Sequence, residues 1–278
     1  MPTPEEHLRA LSVARDLSTL TRTLKAMAAV TLRTFQQAVD AVDALEQAVE
    51  VAMQVALQHG VVRLGGGEPA ARGVIVVGSD LGMCGTFNQS LITPTLNEGA
   101  RILAVGSRAA EHLRRHGLTA EAVLSVPSSV AGLATTVYDL VVRLEAWGST
   151  RLEVVYNVAD GGGRCHAVRQ PLMPWSQAWL QTLQLKPWKG SSLPQIFSAA
   201  SDIRSELVRQ YLFASLYAAL ARSIEAESGA RLAAMQQAEH NIGVRLETLQ
   251  REYHQLRQAA VTEELLDITS GFNVIHER

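Results

Sequence analysis

Two long stretches of this chain lack the residues that break helices. No glycine or proline occurs between Glu5 and His59, and from Asp202 to Thr269 there is no proline and only two glycines. Each stretch is free to run as one unbroken helix. Cysteine is nearly missing as well. Cys84 and Cys165 are the only two, far apart and without CxxC or Cys/His spacing, which excludes a disulfide framework and a zinc site and predicts a reduced, cytoplasmic setting. Neither sign of charge dominates: 25 Lys and Arg stand against 27 Asp and Glu, for a net charge of −2. Nothing collects the basic residues into a patch, so nucleic acid is not an expected partner. No apolar run reaches the roughly eighteen residues that a membrane helix needs. The opening MPTPEEHLRALSVARD carries early acids and no continuous apolar core, so no secretory signal is expected there.

What is present is helical periodicity. Ile242, Leu246, Leu249, Tyr253, Leu256 and Ala260 alternate at fours and threes, the spacing of one narrow coiled-coil seam. Near the N-terminus, Leu17, Leu20, Leu24, Met27 and Thr31, then Ala38, Val42, Leu45, Val49, Ala52 and Ala56, repeat the pattern. At 1.5 Å per residue the C-terminal helix would be on the order of 100 Å long, far beyond the usual 8–20 residues of globular helices. The two seams are predicted to bury against each other as an antiparallel coiled coil.

The middle of the chain changes period. Gly73–Gly78 and Arg101–Gly106 are short apolar runs closed by glycine, as buried strands are. A helix is predicted from Ser107 to Arg115 with Ser107 as cap. A third strand follows at Ala122–Val126, and a second helix at about Ser129–Trp147. Leu152–Val158 and Cys165–Gln170 flank Asp160-Gly161-Gly162-Gly163 and predict a hairpin. Trp175, Pro187, Trp188 and Pro194 mark an irregular return. The expected fold class is α/β with long helices: a coiled coil of the terminal helices plus a small central Rossmann-like domain with a largely parallel sheet. The predicted division is a helix at 1–60, the α/β domain at 72–193 and a helix at 198–278, with Gly65-Gly66-Gly67-Glu68-Pro69 as the first loop.

Catalytic and cofactor motifs do not survive inspection. Gly78-Ser79-Asp80-Leu81-Gly82-Met83-Cys84-Gly85-Thr86 follows a strand, but it lacks the P-loop lysine and the dinucleotide glycine spacing. It reads as a tight turn in which Ser79 or Asp80 bonds the backbone, with Cys84 buried and inert. His112 and His116 lie four apart on a predicted helix, but Arg114 and Arg115 beside them oppose a cation, which favours an exposed polar face. No catalytic residue, cofactor site or metal site is expected.

Several segments in order resemble the γ subunit of F-type ATP synthases. Gly78 to Gly85 with Phe87-Asn88 is similar to that family's GSDRGLCG…N loop, and Val155-Tyr156-Asn157 to its central strand. Glu227–Asn241 (ESGARLAAMQQAEHN) resembles its SE..AR..AM..A..N segment, and Arg257–Gly271 (RQAAVTEELLDITSG) its RQ..IT.E..EI..G ending. Leu20-Thr21-Arg22-Thr23-Leu24-Lys25 with Leu32-Arg33 is similar to the N-terminal ITKAM…K[LM]R helix. The resemblance implies a non-catalytic central shaft turning inside a ring of α and β subunits. It implies a foot on ε and the membrane c-ring, at the cytoplasmic face of a bacterial inner membrane. It also implies that Arg257, Gln258, Thr262, Glu264, Arg22, Leu24 and Lys25 touch the β-subunit ring.

Three departures stand out: Leu81 where arginine is usual, Thr31 where lysine is usual, and a charged tail from Phe272 to Arg278. They suit a divergent complex whose partners differ correspondingly. Without the resemblance, a coiled-coil scaffold with a partner-docking α/β domain would account for the same periodicities.

Overall fold

The computed structural model describes residues 4–62, 72–92, 99–148, 151–188, 190, 192 and 194–276. The glycine-rich loop at 65–69 lies outside the described residues. Ten elements follow in order: α1 (Pro4–Gln58), β1 (Arg72–Val77), β2 (Arg101–Val105), α2 (Ser107–Arg115), β3 (Ala122–Leu124), α3 (Val130–Trp147), β4 (Arg151–Gly161), β5 (Arg164–Met173), α4 (Gln177–Leu185) and α5 (Ala200–His276). Packing divides them into two units, Met1–Met27 with Ala233–Arg278, and Ala28–Leu232.

The first unit is a pair of helical segments. Leu11, Ala14 and Leu249 are buried together, with Ala10, Leu246 and Tyr253 packed around them. His7 lies 3.4 Å from Glu252, while Arg22 and Lys25 reach Glu239. Contacts that descend in α5 as they ascend in α1 make the pair antiparallel. Ile242, Leu246, Tyr253 and Leu256 are half-buried and Leu249 is buried.

The N-terminal seam is not the one expected. Leu20 is 60% exposed and Met27 62% exposed, and Leu17 is exposed as well. The buried positions are His7, Leu11, Ala14 and Thr21, with Ser18 half-buried. This stripe is rotated about one residue from the predicted one. Apart from Leu11 its members are small or polar, and the Thr21 hydroxyl donates to the Leu17 carbonyl at 2.8 Å. Small side chains at a seam let two helix backbones approach closely, and Leu17 and Leu20 are turned outward.

The second unit is built on a five-stranded sheet of order β3-β2-β1-β4-β5, parallel throughout except for the β4–β5 hairpin. The parallel strands are continuous apolar runs because both faces are covered. On one face Ile75, Val77, Leu103, Val105, Val154 and Tyr156 pack with α3 and with Phe35, Val42, Leu212 and Leu216 of the long helices. On the other, Val74, Val76, Ile102, Ala104 and Val155 pack with Leu113 of α2 and with Leu91. α3 starts where Ser129 caps it, its side chain accepting from the Gly132 N–H at 3.2 Å, and ends on Gly148 in the left-handed region. Ser129→Ala should cost about 1 kcal/mol of stability, measured as a shift in the denaturant midpoint at unchanged slope.

Two sequence expectations change here. The irregular return contains α4, whose Leu180 and Leu183 pack against Met53, Ala56, Leu57 and Leu207. Ser107 does not cap α2. The cap position is Gly106, which offers no side chain, and the orphan N–H of Ser107 is taken by a carboxylate from elsewhere.

Candidate functional site

That carboxylate is Asp80, in the loop after β1. Its two oxygens accept from the backbone N–H groups of Ser107 and Val126, each at 2.7 Å. One side chain thus fastens the ends of three parallel strands. Ser79 is fully buried; its hydroxyl donates to the Leu81 carbonyl at 2.9 Å, and its N–H donates to Asn88 Oδ1 at 3.1 Å. Asn157, also buried, donates to the Phe87 carbonyl at 2.7 Å and accepts from the Ser90 hydroxyl. The loop is the tight hydrogen-bonded turn that its composition predicts.

It also fills the crevice beyond the strand ends, where a doubly wound sheet presents a ligand site. A methyl group added at Gly78 would lie 2.6 Å from Asn88 Oδ1 and 2.5 Å from the Ala109 Cβ, and one at Gly106 would meet the Ser79 backbone at 2.6 Å. The chain's own atoms occupy that space. Cys84 is buried there beside Phe87, Ala226 and Ala230, with Cys165 packed against the group. Burial pushes the Cys84 thiol above its ordinary pKa, so little of it is thiolate at neutral pH. Among the described residues no cluster of three or more His, Cys, Asp or Glu is arranged to hold a metal. The His112 and His116 rings meet at a tilt of 54° with centroids 4.8 Å apart, His116 exposed and His112 half-buried.

In the first unit the residues expected to meet partners fall into two groups. Arg22 Nε and Lys25 Nζ converge on Glu239, at 3.1 and 2.7 Å. Hydrogen bonds from Lys25 and then Arg22 hold that carboxyl below the usual range. Leu24 is half-buried beside them. Glu239 is a residue that periodicity did not single out, since its partners are more than two hundred positions away. Arg257, Gln258, Thr262 and Glu264 are all exposed, and the Thr262 hydroxyl returns to the Gln258 carbonyl at 2.9 Å. On α1, Val13, Leu17, Leu20 and Met27 form an outward apolar stripe, and on α5 Val261, Leu265, Leu266 and Ile268 are exposed. Exposed apolar stripes of this extent mark contact surfaces. Of the three departures, Leu81 points outward, Thr31 is half-buried, and the side chains of the tail lie outside the described residues.

An antiparallel helix pair with a bare apolar stripe, together with an α/β layer whose crevice is filled by its own loop, defines a protein that works by contact with partners. Comparison with known proteins says which. The profile of the family described as ATP synthase matches residues 7–275. The ATP synthase gamma chain of Salinibacter ruber is 32% identical over 232 residues, covering 73% of this chain and 74% of its own. That of Paramagnetospirillum magneticum is 27% identical over 280 residues, covering 91% and 92%. Among solved structures, a chain from the OSCP/F1/c-ring structure of Euglena gracilis mitochondrial ATP synthase superposes with a TM-score of 0.69 at 15% identity, covering 98% of this chain and 94% of that one. This last likeness shows the fold. The chain belongs to the ATP synthase gamma-chain family. It is the non-catalytic rotor shaft of the F-type enzyme, a subunit of a membrane-associated complex.

Proposed function

We propose that the first unit is the part of this shaft that engages the ring of α and β subunits, through Arg257, Gln258, Thr262 and Glu264 on α5 and through Arg22, Leu24 and Lys25 on α1. The observation that carries this reading is the surface of the helix pair. Its small residues are spent on the internal seam, while Val13, Leu17, Leu20 and Met27 remain outside, each about half exposed or more. A surrounding ring covers them. The exposed polar residues of α5 then provide contacts that differ between the states of each catalytic site, and only such differential contacts shift a conformational equilibrium. The ε subunit and the membrane c-ring complete the rotor. The complex sits at the cytoplasmic face of a bacterial inner membrane, with this chain peripheral.

Co-expression of a tagged copy with its own α and β subunits tests the assignment. Native mass should give three α, three β and one copy of this chain, with ATPase activity that depends on it. A chain that stays alone or self-associates would defeat the reading in favour of a free scaffold. Arg257→Ala should leave the stability of the isolated chain within about 0.5 kcal/mol of wild type, because the side chain is exposed. In the assembled complex ATP-driven ion pumping should fall. Unchanged ATPase and pumping rates would remove Arg257 from the contact set.

A further inference from the structure

We infer that Arg231 and Glu227 form the joint that holds the loop 78–91 to α5, and that they position this loop for coupling in the motor, an inference that rests on the rotor reading above. Glu227 and Arg231 sit one turn apart on α5 with side chains only 7% and 13% exposed. Arg231 Nη2 donates to Glu227 Oε1 at 2.5 Å and to the Leu81 carbonyl at 3.3 Å. The guanidinium fork is what permits this, because one rigid plane presents several donors at fixed angles. Burial raises the Glu227 carboxyl above its ordinary pKa, against the pull of Arg231.

The place where this tie lands gives it a mechanical role. Asp80 and Asn157 fasten the loop to the sheet at its base and along its return, and Asn88 closes the loop on Ser79. Leu81 and Met83, the tip, stand 64% exposed. Met83 holds a left-handed backbone, φ 61°, which a side-chain-bearing residue keeps only when its surroundings over-determine it. The Leu81 carbonyl accepts from the Ser79 hydroxyl within the loop and from Arg231 on the helix. A load on the tip therefore passes directly into α5 as well as into the sheet. Without Arg231 the tip would lose its direct tie, and only the apolar packing of Cys84 and Phe87 on Ala226 and Ala230 would join the loop to α5.

The test separates this role from simple stability. Arg231→Gln leaves a buried carboxylate without its cation and should lower the melting temperature by roughly 10 °C. The double variant Glu227→Leu/Arg231→Met removes both charges and fills the space with apolar volume, so its melting temperature should return close to wild type. It still has no donor on α5 for the Leu81 carbonyl. In the full chain, amide exchange over residues 79–88 should be about tenfold faster in both variants. In the assembled complex, ions pumped per ATP hydrolysed should fall on the order of twofold in both. A double variant that regains wild-type melting together with wild-type exchange and pumping per ATP would overturn the inference, since stability alone would then account for the pair. Fast exchange in the double variant with normal pumping per ATP would keep the joint and overturn its part in coupling. Failure of the wild-type chain to assemble would sink the rotor reading, and the coupling role with it.

Discussion

Leu249→Asp should separate the helix pair of the first unit. Leu249 is 5% exposed and packs with Leu11 and Ala14. Replacing it removes a buried apolar side chain, which by itself costs about 2–5 kcal/mol. It also forces a carboxylate into an apolar site or obliges the site to open to water. The pair has few other fully buried apolar contacts, so opening is the cheaper response. Circular dichroism should show an early, low-temperature loss of helix, with amide exchange at 4–27 and 233–256 rising towards that of a frayed segment. Leu20→Asp is the control. Leu20 is as large as any apolar residue at the true N-terminal seam, yet in the isolated chain its substitution should change stability by no more than about 0.5 kcal/mol, because it faces outward. Equal losses in the two variants would mean that the seam runs along the leucines after all.

The second large effect is expected at Asp80→Ala. Two charge-assisted hydrogen bonds to backbone N–H groups disappear, and such bonds contribute about 1.5–3 kcal/mol each. The N–H of Ser107 opens α2 and loses its acceptor, as does that of Val126 just after β3. A loss of about 3–6 kcal/mol follows, read as a lower denaturant midpoint. Asp80→Asn should recover little. Its amide presents one acceptor and one donor where the site requires two acceptors, so one N–H would face an NH2 group. Full recovery by asparagine would show that one of the two bonds contributes nothing.

These two sites also mark where sequence reasoning reaches its limit. The long helices were legible because nothing in them breaks a helix. The parallel strands were legible because apolar runs closed by glycine have few other uses. The phase of the N-terminal seam was not legible, and the reason lies in the residues themselves. α1 carries two interleaved stripes, one at Val13, Leu17, Leu20, Leu24 and Met27, the other at His7, Leu11, Ala14, Ser18 and Thr21. Hydrophobicity ranks the first stripe higher, but close packing of two backbones favours the second. Asp80 was legible as a turn residue that bonds the backbone, but its partners were not: they lie 27 and 46 positions away, and local capping rules look only three or four residues ahead. α4 was hidden by Pro174 and Pro187 on either side of a short, weakly patterned segment. The residues proposed to face the ring, Arg257, Gln258, Thr262 and Glu264, have no signature in spacing or burial. Resemblance to a family brought them forward, and exposure is the one property that the fold adds.

The outward apolar stripe has a consequence for the life of the chain before assembly. A molecule released with Val13, Leu17, Leu20 and Met27 uncovered carries an adhesive strip, and the nearest matching strip belongs to another newly made copy. Surplus copies would meet one another, chaperones and proteases sooner than they would wait in solution. On the proposed reading the cover comes from the surrounding ring, so the leucines that would serve the finished machine make an unaccompanied copy a liability.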